Sequence, residues 1–335
     1  MRVPRFVGDG RIEFGEKPVP EPGPGQLLIA VKANALCGSE RGQFFGGSGV
    51  TPGHEAAGVV AAVGPGTSTT VGTAGAVYLM DYCGQCRGCR LGFTNQCSAK
   101  RGDMGFNRDG GYGPFELVAE SVFFPVPPDL PPHEATLLLD VMGTGGHALG
   151  RARLVHPDPQ SLCIAGAGPM GLGVLAMAKL RLGPDFPVYV GDLAPYRLRL
   201  AEALGGVPVS LADHGLGEGL RAAGVASVDL AVDTSGKGAA RQALVGALDR
   251  RGVLVCVGHG EDVRLEVSRD LIGPERAVLG SEYCRFSELA DNLPLLLANR
   301  SYLARIITHR YGVEDLQAAF STFFRGETGK AVVEQ

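Results

Sequence analysis

The sequence contains no charge-free run of about twenty apolar residues, so no membrane-spanning helix is expected. Its opening, Met1-Arg2-Val3-Pro4-Arg5-Phe6, lacks the apolar stretch of a secretion signal. No block of five like charges occurs, and no segment is of low complexity. The net charge of −4 gives neither nucleic acid nor an anionic membrane an electrostatic hold. Disulfides are not expected either. Four of the eight cysteines are bunched, a pattern that points to metal and to the reducing cytoplasm.

What is present suits a globular chain. With 335 residues, 45% of them hydrophobic, two domains with real cores are expected. The first third reads as short strands between turns. Pro22-Gly23-Pro24-Gly25 is a turn, Gln26 to Ala33 a buried strand, and Gly58 to Gly64 another. Between those strands stand Cys37-Gly38-Ser39-Glu40 and Gly53-His54-Glu55. Thiolate and imidazole are the donors zinc prefers, and a carboxylate can complete the set. We read Cys37 and His54 as ligands of a catalytic metal that needs a third ligand from elsewhere. Cys83, Cys86, Cys89 and Cys97 follow with the spacing C-x2-C-x2-C-x7-C. Four thiolates close a tetrahedron and leave no open position, so this site is expected to be structural. The alternatives are four unrelated thiols or an iron–sulfur cluster, but the last spacing is not the ferredoxin x3.

Cys37, the block Gly53-His54-Glu55-Ala56-Ala57-Gly58 with Gly64 after it, and the four-cysteine lobe together resemble the zinc-containing medium-chain alcohol and polyol dehydrogenases, over essentially the whole chain. The resemblance implies an α/β chain of two domains. A GroES-like β-rich catalytic domain takes 1–143 and 285–335, and a Rossmann doubly wound parallel sheet takes 144–284. It also implies two zinc ions per chain. The family's third catalytic ligand is commonly a cysteine just before the cofactor domain. No cysteine stands there in this chain, and Asp140 occupies the place of the aspartate found in bacterial secondary-alcohol and formaldehyde dehydrogenases. Asp140 is therefore expected on the metal, with a helix-terminal charge near Thr144 as the other reading and His147 as a rival ligand. Glu55 is either an exchanging fourth ligand or a group outside the ligand set that holds the site. Glu40 either orients His54 or is a solvated carboxylate. Lys330 either lies near the cofactor phosphates or the metal, or is a solvated lysine.

The second domain carries its own motif. Ser161 to Ala165 is an apolar strand, followed by Gly166-Ala167-Gly168-Pro169-Met170-Gly171 and a helix over 172–182. A glycine-rich turn between strand and helix is the dinucleotide fingerprint, with the phosphates on the helix N–H groups. Asp192 ends the next strand, 21 residues beyond Gly171, where a carboxylate binds ribose hydroxyls and repels a 2′-phosphate. NAD is preferred on that ground, although Arg197 and Arg199 nearby would suit NADP. Strands over 228–233 and 252–257 place Thr234 and Gly258 beside the cofactor, and Thr144 is expected there too. Cys163, Cys256 and Cys284 read as small buried hydrophobes. A helix over 286–299, with Pro294 a possible kink, precedes the segment that returns to the first domain.

The implied reaction moves a hydride between an alcohol (secondary alcohol, polyol or sugar-type) and NAD. Ser39 is the expected proton acceptor. The histidine that ends the relay in liver-type relatives is replaced by Gly42, and Gly38 replaces a basic residue some relatives use on the pyrophosphate. A formaldehyde or aldehyde dehydrogenase or dismutase, or a reductase, is the alternative within the family. A zinc-ribbon binding module and a metal-free relative are the alternatives outside it. The acidic charge and the glycine-rich turn speak against the first, and Cys37, His54 and Asp140 against the second. Phe44, Phe45 and Met142 line the pocket or belong to the core. A homodimer or homotetramer is expected.

Overall fold

The strand Gln26–Ala35 is used on both edges in the computed structural model, which describes residues 1–212 and 214–335. Its first half pairs antiparallel with Phe115–Ala119 on one side, and Ala56–Val63 runs antiparallel along the other. Its last residues pair with Lys330–Glu334. The sheet continues through Ile307–Gly312 at one end and through Ala74–Val77 and Phe123–Pro125 at the other. A chain segment from the C-terminus thus lies inside a sheet built by the N-terminal third. Against the sheet packs an apolar cluster that includes Phe6, Leu36, Phe44, Phe320 and Val333. Phe44 stacks on Phe320 at 5.1 Å, so its ring belongs to the core, whereas Phe45 is exposed.

Two compact units divide the chain. The first takes Met1–Leu139, Cys284–Arg325 and Lys330–Gln335, and the second Asp140–Tyr283 and Gly326–Gly329. The sequence reading placed the edges at 143 and 285. Asp140–Thr144 is already a wide helical turn that continues into the helix Gly145–Val155, so the backbone becomes helical before residue 144. His147 and Met142 are buried in this stretch.

The second unit holds a six-stranded parallel sheet among the described residues. Its order is Val207–Ser210, Val188–Asp192, Leu162–Ala165, Val228–Asp233, Leu248–Cys256, Ala277–Gly280. Numbered in sequence this is 3-2-1-4-5-6, the doubly wound arrangement. Its direction reverses between Leu162–Ala165 and Val228–Asp233, and ligands of such sheets bind beyond that point. Cys163 is fully buried in this core, while Cys256 is only half-buried. The helix Glu288–Ala298 runs through Pro294, and no helix among the described residues is long and apolar enough to cross a membrane.

Candidate active site

Gly53 delivers His54. It has φ +104°, and a Cβ there would lie 2.7 Å from the Tyr112 nitrogen, so only glycine fits the turn. His54 and Glu55 follow, both buried. Cys37 stands at the start of the short turn Gly38–Glu40. The Cys37 sulfur, one His54 nitrogen and one oxygen each from Glu55 and Asp140 all lie within 4.8 Å of one another. That donor set is one thiolate, one imidazole and two carboxylates, which suits zinc.

Glu40 is fully buried, so the reading of it as a solvated carboxylate is overturned. Its Oε1 lies 3.0 Å from His54 Nδ1, and its Oε2 accepts the Cys37 N–H at 3.2 Å. A histidine held at Nδ1 presents Nε2 to a metal. Ser39, exposed at the rim, has its Oγ 3.5 Å from that Nε2. Thr144 Oγ1 donates to Asp140 Oδ1 at 3.2 Å, so the threonine orients this carboxylate. Lys330 is fully buried and pairs with Glu55 through its ammonium, so it is not a solvated lysine. This placement puts it on a carboxylate of the candidate metal site.

The four lobe cysteines gather as well. Their sulfurs lie within 4.8 Å of one another, with Cys86 to Cys89 at 3.5 Å and Cys86 to Cys97 at 3.9 Å. A zinc tetrahedron with ordinary Zn–S bonds has S···S edges of about 3.8 Å. Backbone N–H groups of Cys89 and Ser98 pull the Cys86 thiol down to about 5. Gln85 and Cys86 donate N–H bonds to the Cys83 sulfur at 3.4 and 3.3 Å. Such donors favour the thiolate form a metal needs.

In the second unit Gly166 has φ +100°, and a Cβ on Gly171 would lie 1.8 Å from the Gly166 oxygen. Gly168 caps the helix Pro169–Leu182, with Pro169 in its first turn and Met170 after it. Asp192 accepts the Ala167 N–H at 2.6 Å and the Ala194 N–H at 2.8 Å, which fixes the carboxylate beside the glycine-rich turn. The Arg197 guanidinium lies 3.7 Å from where a Gly168 Cβ would be, and its Nε donates to the Thr328 oxygen. Thr234 Oγ1 donates to the Ala165 and Gly166 oxygens at 3.0 Å each.

The sequence reading missed a brace between the loops at Thr234 and Gly258. Asp233 accepts from Ser235 Oγ at 2.7 Å, the Ser235 N–H at 2.9 Å and Arg241 Nε at 2.7 Å. Arg241 also donates to the Gly258 and Glu261 oxygens. The only sequence signal was an acidic residue closing an apolar strand. A second omission is Glu116, buried in the strand Phe115–Ala119 with neither carboxylate oxygen hydrogen-bonded. Burial raises its carboxyl to about 8, with nearby His54 opposing and Asp109 adding to the shift. The unfolded carboxyl titrates near 4.5, so the folded state holds the proton more tightly. Stability should therefore fall as pH rises from about 4.5 to about 8. Glu116→Gln should flatten that slope in urea unfolding at pH 5 to 8. Parallel curves for the two proteins would mean Glu116 is ionised in the fold.

A doubly wound sheet with a glycine-rich turn in one unit, and in the other a β-rich fold carrying Cys37, His54 and the four-cysteine cluster, define a zinc-type dehydrogenase. The sequence comparisons agree. Residues 23–128 match the alcohol dehydrogenase GroES-like domain, and residues 169–298 match the zinc-binding dehydrogenase family. An L-threonine 3-dehydrogenase of Rhizobium johnstonii is 30% identical, covering 95% of this chain and 93% of that protein. The alcohol dehydrogenase rspB from E. coli CFT073, solved with NADH, shares the fold at TM-score 0.88. Its identity is 22%, with 100% of this chain and 99% of that one covered. A putative zinc-binding dehydrogenase from Sinorhizobium meliloti 1021, bound to NADP, has TM-score 0.85 and 24% identity, at 100% and 99% coverage. The chain belongs to the zinc-containing medium-chain dehydrogenase/reductase family and is an oxidoreductase of that family.

Proposed function

We propose that this protein is an NAD-dependent alcohol dehydrogenase with two zinc ions, one held by Cys37, His54 and Asp140 with Glu55 beside them, and one by Cys83, Cys86, Cys89 and Cys97. The observation that carries the reading is the gathering of Cys37, His54, Glu55 and Asp140 donors, with His54 Nδ1 held by Glu40. When bound, zinc would supply Lewis-acid polarisation of an alcohol or carbonyl oxygen, and the nicotinamide would supply the hydride acceptor or donor. The chain's own residues hold and move the proton. Ser39 Oγ takes it from the alcohol, and the exposure of Ser39 lets water carry it away where position 42 offers only glycine. Asp192 receives the ribose hydroxyls and disfavours a 2′-phosphate. Gly168, Met170, Gly171 and Arg197 meet the pyrophosphate, and Thr234 and Gly258 flank the cofactor.

The substrate class we favour is a secondary alcohol, polyol or sugar-type alcohol. Support comes from the relative named for dehydrogenation of L-threonine at carbon 3, where the hydroxyl is secondary. A homodimer or homotetramer in the cytoplasm is the expected setting, since cysteines bunched for metal rather than disulfides suit a reducing compartment. Purified protein loaded with zinc should reduce NAD with at least one member of a panel of secondary alcohols, polyols and L-threonine. Reduction of NAD by none of them, with zinc bound, would overturn the reading. On the best substrate NAD should outperform NADP in kcat/KM. Asp192→Gly should narrow that ratio by on the order of tenfold, equivalent to about 1.4 kcal/mol. A wild-type preference for NADP would refute the role given to Asp192.

A further inference from the structure

We propose that Tyr112 is a positioning residue for the Cys37–His54 metal site and that it acts through Glu40. The inference rests on the reading of that cluster as a zinc site.

Glu40 has two oxygens and three partners. Oε1 faces His54 Nδ1 at 3.0 Å. Oε2 accepts from the Cys37 N–H at 3.2 Å and from the Tyr112 hydroxyl at 2.9 Å. One buried carboxylate thus touches both candidate ligands, and its orientation sets theirs. A glutamate reaches that place on a side chain with three rotatable bonds, so it needs fixing at its far end. The Cys37 N–H gives Oε2 one bond, and the phenol gives the second. Without the phenol the carboxylate has fewer constraints on its plane.

Tyr112 is built to hold still. It is fully buried, and its ring stacks on Phe6 at 6.1 Å and meets Phe320 edge-on at 5.8 Å. Its N–H donates to the Pro52 oxygen at 3.1 Å, and the Gly111 N–H donates to the Gly53 oxygen at 2.9 Å. The backbone of Tyr112 is therefore tied to the turn that delivers His54, while its hydroxyl is tied to the carboxylate behind His54. Burial and the adjacent Glu40 carboxylate keep the phenol protonated well beyond its ordinary range, so it remains a donor. Glu40 is the partner one step behind the ligands, where changes commonly alter metal affinity by about 10–100-fold, and Tyr112, one step further out, is expected at the low end of that range.

The test is Tyr112→Phe, which keeps the ring and removes one oxygen. Zinc affinity of each site is measured by chelator competition, with the four-cysteine site as internal control and NADH binding by fluorescence beside it. Affinity at the Cys37–His54 site should fall by about tenfold. The cysteine site and NADH binding should not change. In a Glu40→Gln background, where the accepting carboxylate is gone, Tyr112→Phe should add nothing further. Unchanged affinity in the single variant would overturn the proposal. An equal further loss in the Glu40→Gln background would also overturn it, because Tyr112 would then act independently of Glu40. Failure of Tyr112→Phe to fold in excess zinc would do so too, by giving the hydroxyl a role in the fold itself. Wild-type protein that takes up zinc only at the four-cysteine site would instead overturn the site reading, an outcome visible before any variant is made.

Discussion

Asp140→Ala should lose the zinc held with Cys37 and His54, and with it most of the activity, while keeping the cysteine-lobe zinc and NAD affinity. Lewis-acid stabilisation worth several kcal/mol corresponds to a rate loss of about 10³-fold. The argument starts from charge. One thiolate and one carboxylate neutralise a divalent ion when His54 is neutral, and Asp140 is the carboxylate that Thr144 orients. Removing it leaves Cys37, His54 and Glu55, whose carboxylate is already paired with Lys330. A carboxylate also donates less charge than a thiolate, so the ion should be the stronger Lewis acid and less tightly held. Asp140→Cys should therefore restore metal without the full rate, because the longer Zn–S bond shifts the ion. Zinc per chain, turnover and NAD affinity are measured for wild type and both variants. Two zinc ions and near-normal turnover in Asp140→Ala would make Asp140 a helix-terminal charge and require another third ligand.

The chemistry-bearing residues that announce themselves in the sequence do so through close spacing. Gly53-His54-Glu55, the four cysteines between 83 and 97, and Gly166 to Gly171 are each local patterns, and local backbone geometry suffices to read them. The place of Asp192 at the end of its strand is readable because one strand-helix-strand unit fixes its distance from Gly171. The residues that escaped are those whose meaning comes from distant pairing. Glu40 is readable as a partner of His54 through the family resemblance, but its bonds to the Cys37 N–H and to Tyr112 are not. Tyr112 lies 72 residues from Glu40, and nothing near it in the sequence marks it as a donor. Glu116 alternates with Phe115 and Leu117 as a solvent-facing residue of an edge strand would, yet the strand places it inward with Val118. Arg241 finds Asp233 only because the helix after that strand turns its first residues back over the loop. The wide helical turn over Asp140–Thr144 has no sequence signature of its own. Phe44 illustrates why the substrate stayed out of reach. An aromatic residue near a catalytic turn suits a pocket as well as a core, and here it stacks in the core.

Cys97→Ser should release one zinc per chain and unlock the lobe from Cys83 to Lys100 without emptying the Cys37–His54 site. The lobe cannot hold itself by apolar burial. Between Cys83 and Lys100 the one buried residue is Asn95, and Leu91 and Phe93 are both exposed. A segment with so little core depends on metal, whose binding in small structural sites is worth about 10 kcal/mol or more. One attachment lies just before the lobe and one within it. The Tyr78 hydroxyl donates to the Cys284 oxygen at 2.5 Å, and the Phe286 N–H donates to Thr94 Oγ1 at 2.8 Å. These contacts should keep the stretch around Thr94 docked while the turn from Cys83 to Gly92 opens. Serine at 97 removes the sulfur that accepts the Cys83 N–H at 3.3 Å, and with it one corner of the tetrahedron. Trypsin should then cut rapidly after Arg87 and Arg90, which are exposed in the lobe. Elemental analysis should find one zinc per chain in place of two, and thermal unfolding should begin at lower temperature. Unchanged proteolysis with two zinc ions retained would show that Cys97 is not a required ligand and that the lobe does not depend on it.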